Sequence, residues 1–269
     1  LAQRTLPDLR HRFGYGMAFG LEVGSPGRAY PTTPGAGGAG RGVRDRLVEG
    51  GLQEVGSGDF LTEAASVLEV LADERLGALT IGPGLGREKA TVEAVRQVVL
   101  ESTVPALVDA DGLFAFAGSA ELLRDRPGLV LTPHLGELAA LLGASTEELG
   151  ASYLVAARRA AEVTGQTVLL KGPSTVVVAP SGDTRAVVQG PPQLASAGTG
   201  DVLSGVIGAL LAKGLEPFEA AYAGAWIHAE AGRLGATAAP QGILAGDLID
   251  LVAEVVADRL YEQGPSWRK

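Results

Sequence analysis

The sequence predicts an α/β fold, a layered αβα sandwich around a mostly parallel central sheet. Three observations carry this. From about residue 61 onward, short apolar runs of strand length alternate with stretches of helical spacing, the pattern of a parallel sheet covered on both faces. The residues able to do chemistry sit where those apolar runs end, which is where doubly wound folds bind ligands. Of the 269 residues, 46% are hydrophobic but only 5% aromatic, and 39 are glycine, so the core must be Ala, Val and Leu with close helix-to-strand approaches.

The first part of the chain has the weakest signals. Leu1 to Arg12 is polar and basic and reads as an N-terminal arm or linker, leaving 13–269 as a single domain. Phe13 to Val23 suits a strand interrupted by Gly14, Gly16 and Gly20; Gly24-Ser25-Pro26-Gly27 is a turn; Pro31 to Gly42 is a Pro- and Gly-rich loop. A short helix fits Val43 to Glu49, and Leu61 to Leu71 has helical spacing.

Regular alternation follows. Ala78 to Ile81 is a buried strand ending in Gly82-Pro83-Gly84-Leu85-Gly86, and Arg87 to Leu100 is helical. Pro105 to Asp109 is a second strand and Leu129 to Thr132 a third, the latter turning through Pro133-His134-Leu135-Gly136-Glu137 into a helix to Leu142. Ser152 to Val163 is a helix; Thr167 to Lys171, Thr175 to Ala179 and Thr184 to Val188 are strands joined by tight turns. Helices then cover Val202 to Lys213, stopped by Gly214, and Pro217 to Leu234 and Asp247 to Leu260.

A net charge of −9 and a pI near 4.9 exclude general affinity for nucleic acid or anionic membranes. The absence of cysteine excludes disulfides, thiolate catalysis and Cys-based metal sites. No apolar run is long enough to span a bilayer, and the cytoplasm is the expected location. Anions must therefore be held by local dipoles and a few cations.

The segment Ala197-Gly198-Thr199-Gly200-Asp201 supplies such a dipole. Small residues running into a helix let several backbone N–H groups converge, with the positive end of the helix behind them. A phosphoryl group or developing oxyanion suits this hole. A carboxylate there repels phosphate unless it has separate work, and taking a proton from an attacking hydroxyl is such work for Asp201. A tight turn with Asp201 as a helix cap is the structural alternative.

The other strand ends carry similar pairs of readings. Gly82 to Gly86 lets a flat or phosphorylated ligand approach the backbone, or merely turns the chain. Asp109 and Asp111 could hold Mg²⁺ through water, or Asp111 could cap a helix; no metal-ligand set is assigned. His134 and Glu137 sit at a strand end, where the histidine could touch ligand. Lys171 could meet a phosphate or protect a sheet edge. His228 reads as a packed histidine, and Tyr222 and Trp226 as core.

Five of these elements in order resemble the ADP-dependent NAD(P)H-hydrate dehydratases of the ribokinase-like superfamily: Gly82-Pro83-Gly84-Leu85-Gly86, Val108-Asp109-Ala110-Asp111-Gly112, Thr132-Pro133-His134-Leu135-Gly136-Glu137, Lys171-Gly172-Pro173-Ser174-Thr175 and Gly198-Thr199-Gly200-Asp201. They cover roughly residues 78 to 235. The Pro-His-x-Gly-Glu element separates this branch from kinases that share only the glycine loop. The resemblance implies that Gly84, His134 and Asp201 contact the hydrated nicotinamide nucleotide. It implies that Lys171, Gly172, Pro173, Ser174, Thr175 and Gly200 hold ADP or AMP, that Mg²⁺ assists, and that Asp201 is the catalytic base. It further implies a homo-oligomer, tetramers included, and an NAD(P)H-hydrate epimerase as functional partner, in some relatives fused upstream. The competing readings are a vitamin-precursor kinase of the same fold and a non-catalytic nucleotide-binding module. The departure lies in residues 13 to 60, where Arg28-Ala29-Tyr30-Pro31 follows the Gly24-Ser25 turn and the family's substrate-binding alanine has no counterpart.

Overall fold

The computed structural model describes residues 76–262 together with residue 68. The arm over 1–12, the strand over 13–23, the turn at 24–27 and the helix over 43–49 lie outside the described residues; of the helix expected over 61–71, residue 68 alone is described, and it is helical.

Within the described residues, apolar runs become β1 (Leu79–Ile81), β2 (Ala106–Val108), β3 (Leu129–Leu131), β4 (Thr167–Leu170), β5 (Thr175–Val178) and β6 (Thr184–Val187). They form one sheet in sequential order; β1 to β4 are mutually parallel, β5 runs antiparallel to β4, and β6 runs antiparallel to β5 and so points the same way as β1 to β4. The helices are α1 (Lys89–Glu101), α2 (Ala110–Phe114), α3 (Leu135–Leu142), α4 (Thr146–Gly150), α5 (Tyr153–Thr164), α6 (Thr199–Ala212), α7 (Pro217–Ala238) and α8 (Ala245–Glu262). The sequence gives no clear periodic signal for α2 and α4, which are single turns too short to show one. Helix α6 opens three residues before Val202, because Gly198 takes a left-handed conformation (φ +84°) and turns the chain into the helix.

Strand alternation explains the layering. Leu79, Ile81, Val108, Leu131 and Leu170 face Val95, Leu138 and Ala157 from α1, α3 and α5. The intervening Leu107, Val130, Leu169 and Val177 face Ile207, Ala221 and Leu248 from α6, α7 and α8. β1 to β4 are therefore buried on both sides, whereas β6 exposes Arg185 and Ala186, and each fully buried Val or Leu contributes about 1.5–3 kcal/mol. The low aromatic content fits helices that come in close. A Cβ on Gly224 of α7 would stand 2.4 Å from Ile207 Cγ1 of α6. Among the described residues, no helix is long and apolar enough to cross a membrane. Tyr222 and Trp226 pack against the core layer of α6, α7 and α8 but are half-buried, with the Arg185 and Arg259 guanidinium groups over their rings at 4.8 and 4.6 Å.

Candidate active site

The parallel ladder continues past the ends of the strands. Asp109 N–H donates to Ile81 C=O (3.1 Å), Thr132 N–H to Val108 C=O (3.2 Å) and Lys171 N–H to Pro133 C=O (2.8 Å). These bonds line up the residues after β1, β2, β3 and β4 along the carboxyl edge of the sheet. The approach is closest at Gly82, where φ is +138° and a Cβ would lie 1.8 Å from Asp109 C=O.

Asp109 is the hub of this edge. It is 1% exposed, and every donor around it comes from a different stretch of chain. Lys171 Nζ reaches Oδ1 at 2.7 Å, the Ala110 N–H reaches the same oxygen at 2.9 Å, and Ser204 Oγ of α6 donates to Oδ2 at 2.8 Å. Both oxygens are thus engaged, so Asp109 is the N-cap of α2 and the anchor of Lys171. Asp111 is not a helix cap: it accepts the Gly86 N–H (3.0 Å) and pairs with Arg87 Nε (2.7 Å), bracing the Gly82 to Gly86 turn. Gly84 is exposed in that turn at φ +70°.

His134 closes the amino end of α3 in a capping box. Its Nδ1 accepts from the N–H groups of Gly136 and Glu137 at 3.0 and 3.2 Å, while Glu137 Oε2 accepts the His134 N–H at 2.8 Å. With Nδ1 accepting, the proton is on Nε2, which faces Glu137 Oε1 at 3.3 Å. Glu137 Oε2 is also 3.7 Å from Lys171 Nζ.

Lys171 follows β4, which lies between β3 and β5, so the reading as a sheet-edge lysine is overturned. Its ammonium points across the edge to α6, 3.8 Å from where a Cβ on Gly200 would be. The turn it opens is exposed at Gly172, Pro173 and Ser174, and Thr175 begins β5. Gly172 is required there because a Cβ would stand 2.3 Å from the Tyr153 ring.

The α6 amino terminus completes the site. Gly198 is its N-cap and offers no side-chain cap, so Thr199, Gly200 and Asp201 occupy the first turn. The cap reading of Asp201 therefore fails: it is the third residue of the helix, exposed, beside the first-turn amides. Ala197 and Gly198 are exposed in the approach to the helix, whereas Thr199 is buried, its hydroxyl 2.6 and 2.8 Å from the carbonyls of Leu194 and Ser196. The structure thus brings Lys171, Gly200, His134 and Glu137 into one neighbourhood through Asp109 and Ser204.

Two partners escaped sequence reasoning. Ser204 reads as one small residue in an apolar helix, and it meets Asp109 across 95 positions. His228, buried in α7, places Nε2 2.9 Å from the Thr199 carbonyl. Burial pushes its pKa down to about 4, with the Thr199 carbonyl opposing and the charge of Lys171 adding to the fall. The spacing of His228 from the glycine loop held no signal for either contact.

A model of the NAD(P)H-hydrate dehydratase family matches residues 47–254. The match begins inside the 13–60 stretch that departs from the family pattern. The bifunctional NAD(P)H-hydrate repair enzyme Nnr of Moorella thermoacetica is 42% identical over 192 residues, 71% of this chain and 36% of that protein. The ADP-dependent (S)-NAD(P)H-hydrate dehydratase of Neisseria meningitidis is 40% identical over 179 residues, 64% of this chain and 60% of that protein. This chain therefore spans less than two thirds of either relative. Among solved structures, the ADP/ATP-dependent NAD(P)H-hydrate dehydratase from Bacillus subtilis co-crystallized with ATP/Mg²⁺ superposes with a TM-score of 0.63 at 30% identity, over 74% of this chain and 70% of that one. The sheet and its two helical layers are the ribokinase-like sandwich, and the chain belongs to the NAD(P)H-hydrate dehydratase family.

Proposed function

We propose that the chain dehydrates hydrated NADH or NADPH at the expense of ADP, with AMP and phosphate as by-products. The observation that carries this is the meeting of Lys171 and the α6 amino terminus at the carboxyl edge of the sheet, where Gly200 and the ammonium are neighbours. The Gly200 amide, at the positive end of α6, and one anchored cation form a cradle for a transferring phosphoryl group. Hydroxide is a poor leaving group, and phosphorylation of the hydrate's hydroxyl converts it to a good one. Asp201 takes the hydroxyl proton as that oxygen attacks the terminal phosphorus of ADP, and the P–O bond to AMP breaks. Phosphate then leaves, pushed by the ring nitrogen's electron pair, and loss of a proton from the neighbouring carbon restores the double bond.

In the same proposal, Lys171 to Thr175 and Gly200 hold the adenine nucleotide, and Gly84 and His134 line the nicotinamide side. His134 Nδ1 is occupied by its capping bonds, so contact falls to the Nε2 edge of its ring. Among the described residues, no three acidic or imidazole ligands converge on a point, and both oxygens of Asp109 are engaged. The side chains described thus do not form a magnesium cage. A Mg²⁺ ion would come in on the phosphates of the nucleotide and supply charge neutralisation there. The domain over 13–269 with an arm over 1–12, a homo-oligomer, tetramers included, an epimerase as partner, and a cytoplasmic location complete the reading. They rest on the resemblance and on the sequence.

The test is to mix the protein with hydrated NADH, Mg²⁺ and either ADP or ATP and to follow the return of NADH absorbance. Recovery with ADP supports the proposal. Phosphorylation of a vitamin-precursor alcohol without recovery selects the kinase reading, and nucleotide binding without any turnover selects the binding module.

A further inference from the structure

His228 is the one buried imidazole among the described residues, and the reaction outlined above gives it no step. It is 7% exposed, and its Nε2 lies 2.9 Å from the Thr199 carbonyl oxygen. A carbonyl only accepts, so Nε2 carries the proton and donates. The carbonyl of Thr199 and the N–H of Gly200 belong to one planar peptide unit and point in opposite directions. Holding the oxygen therefore fixes where that N–H points. The Gly200 N–H lies in the first turn of α6, between the Thr199 and Asp201 amides that donate to the Ser196 and Gly198 carbonyls, and points out of the helix's amino end. The Thr199 hydroxyl, within bonding distance of Leu194 and Ser196 carbonyls, pins the same residue from the other side.

We propose that His228 is a positioning residue, which aims the Gly200 amide at the transferring phosphoryl group by holding the Thr199–Gly200 peptide plane from α7. The inference rests on the phosphoryl-transfer reading above. It also accounts for the choice of residue. An imidazole kept neutral by burial and by Lys171 donates a hydrogen bond without adding a second cation to the site. A lysine or arginine there would compete with Lys171 for the same anion.

The test compares His228→Phe, which fills the space without a donor, with His228→Gln, whose side-chain N–H can take the place of Nε2–H. In the dehydration assay, His228→Phe should lower kcat by roughly 10–100-fold, since a misdirected oxyanion donor loses most of its effect, with KM for the hydrate little changed. His228→Gln should recover to within about threefold of the native rate, allowing for imperfect donor geometry. A native rate in His228→Phe, or equal losses in both variants that track their Tm, would overturn the assignment. Should the Phe variant fail to fold, ¹⁵N spectra of the native imidazole decide. A neutral ring protonated at Nε2 at pH 7 supports the proposal, and one protonated at Nδ1 refutes it. Native protein that restores no NADH sinks the functional reading itself, an outcome distinct from an active enzyme indifferent to His228.

Discussion

A carboxylate as deeply buried as Asp109 costs free energy unless donors surround it, and Lys171, Ser204 and the Ala110 N–H do so here. Removing Lys171 while leaving Asp109 strands a buried charge. Lys171→Met should therefore lower stability on the order of 3 kcal/mol in urea unfolding, and the double variant Lys171→Met/Asp109→Leu should recover part of that loss. A single variant as stable as the native chain would show that the pair is not formed in solution. His134 gives a smaller effect. His134→Ala removes the side chain that accepts two α3 amides and should cost about 0.5–2 kcal/mol, measurable as a lowered Tm. The sequence exposed Lys171, His134 and Asp109 as candidates because each stands at the end of an apolar run. It could not expose their engagement. The side-chain donors to Asp109 come from the residue after β4 and from α6, 62 and 95 residues away, and no local pattern encodes a partner at that distance.

At the scale of elements, the turn after β1 is the tightest junction. Gly82→Ala adds a Cβ that would meet Asp109 C=O at 1.8 Å, in a conformation (φ +138°) that side chains avoid. The loss should be about 3 kcal/mol or more, from overpacking and strain together. Gly118→Ala is the control: φ is +66° and nothing lies within 4 Å, so only the conformational cost of about 1 kcal/mol remains. Comparable melting temperatures for the two variants would contradict the close approach of the β1 turn to Asp109. The strands were legible within a residue or so because Gly, Pro and Asp punctuate Val- and Leu-rich runs. Helix α6 was legible in its body but not at its start, since Thr199-Gly200-Asp201 has no apolar periodicity and only Gly198's backbone reveals the turn.

For the whole molecule, the pH dependence that the described residues assign is that of His228. The pKa of His228 falls from 6.5 in the unfolded chain to about 4 in the folded one, through burial first and the Lys171 charge last. Between these values the unfolded state binds the extra proton. The contribution is thus fully present above pH 6.5 and is lost progressively as pH falls towards 4. The size is roughly 3 kcal/mol, from the difference of the two values. The native chain should therefore lose Tm over this window, and His228→Phe should lose less. Identical pH profiles would show that His228 is not the group responsible. The sandwich itself was legible from alternation alone, because β1 to β4 are buried on two faces and read as continuous apolar runs. The stretch from 13 to 60 lies outside the described residues.

In the proposed reaction the α6 amino terminus hosts a phosphoryl transfer for which Asp201 accepts the proton. Asp201→Asn keeps the size and shape of that side chain and removes its basicity. Assayed with hydrated NADH, ADP and Mg²⁺, the variant should restore NADH about 10²–10⁴-fold more slowly than the native protein, the usual worth of a general base. It should bind ADP as tightly or more tightly and melt at nearly the same temperature. Native turnover in Asp201→Asn would remove Asp201 from the reaction and leave the α6 amino terminus as a binding element only.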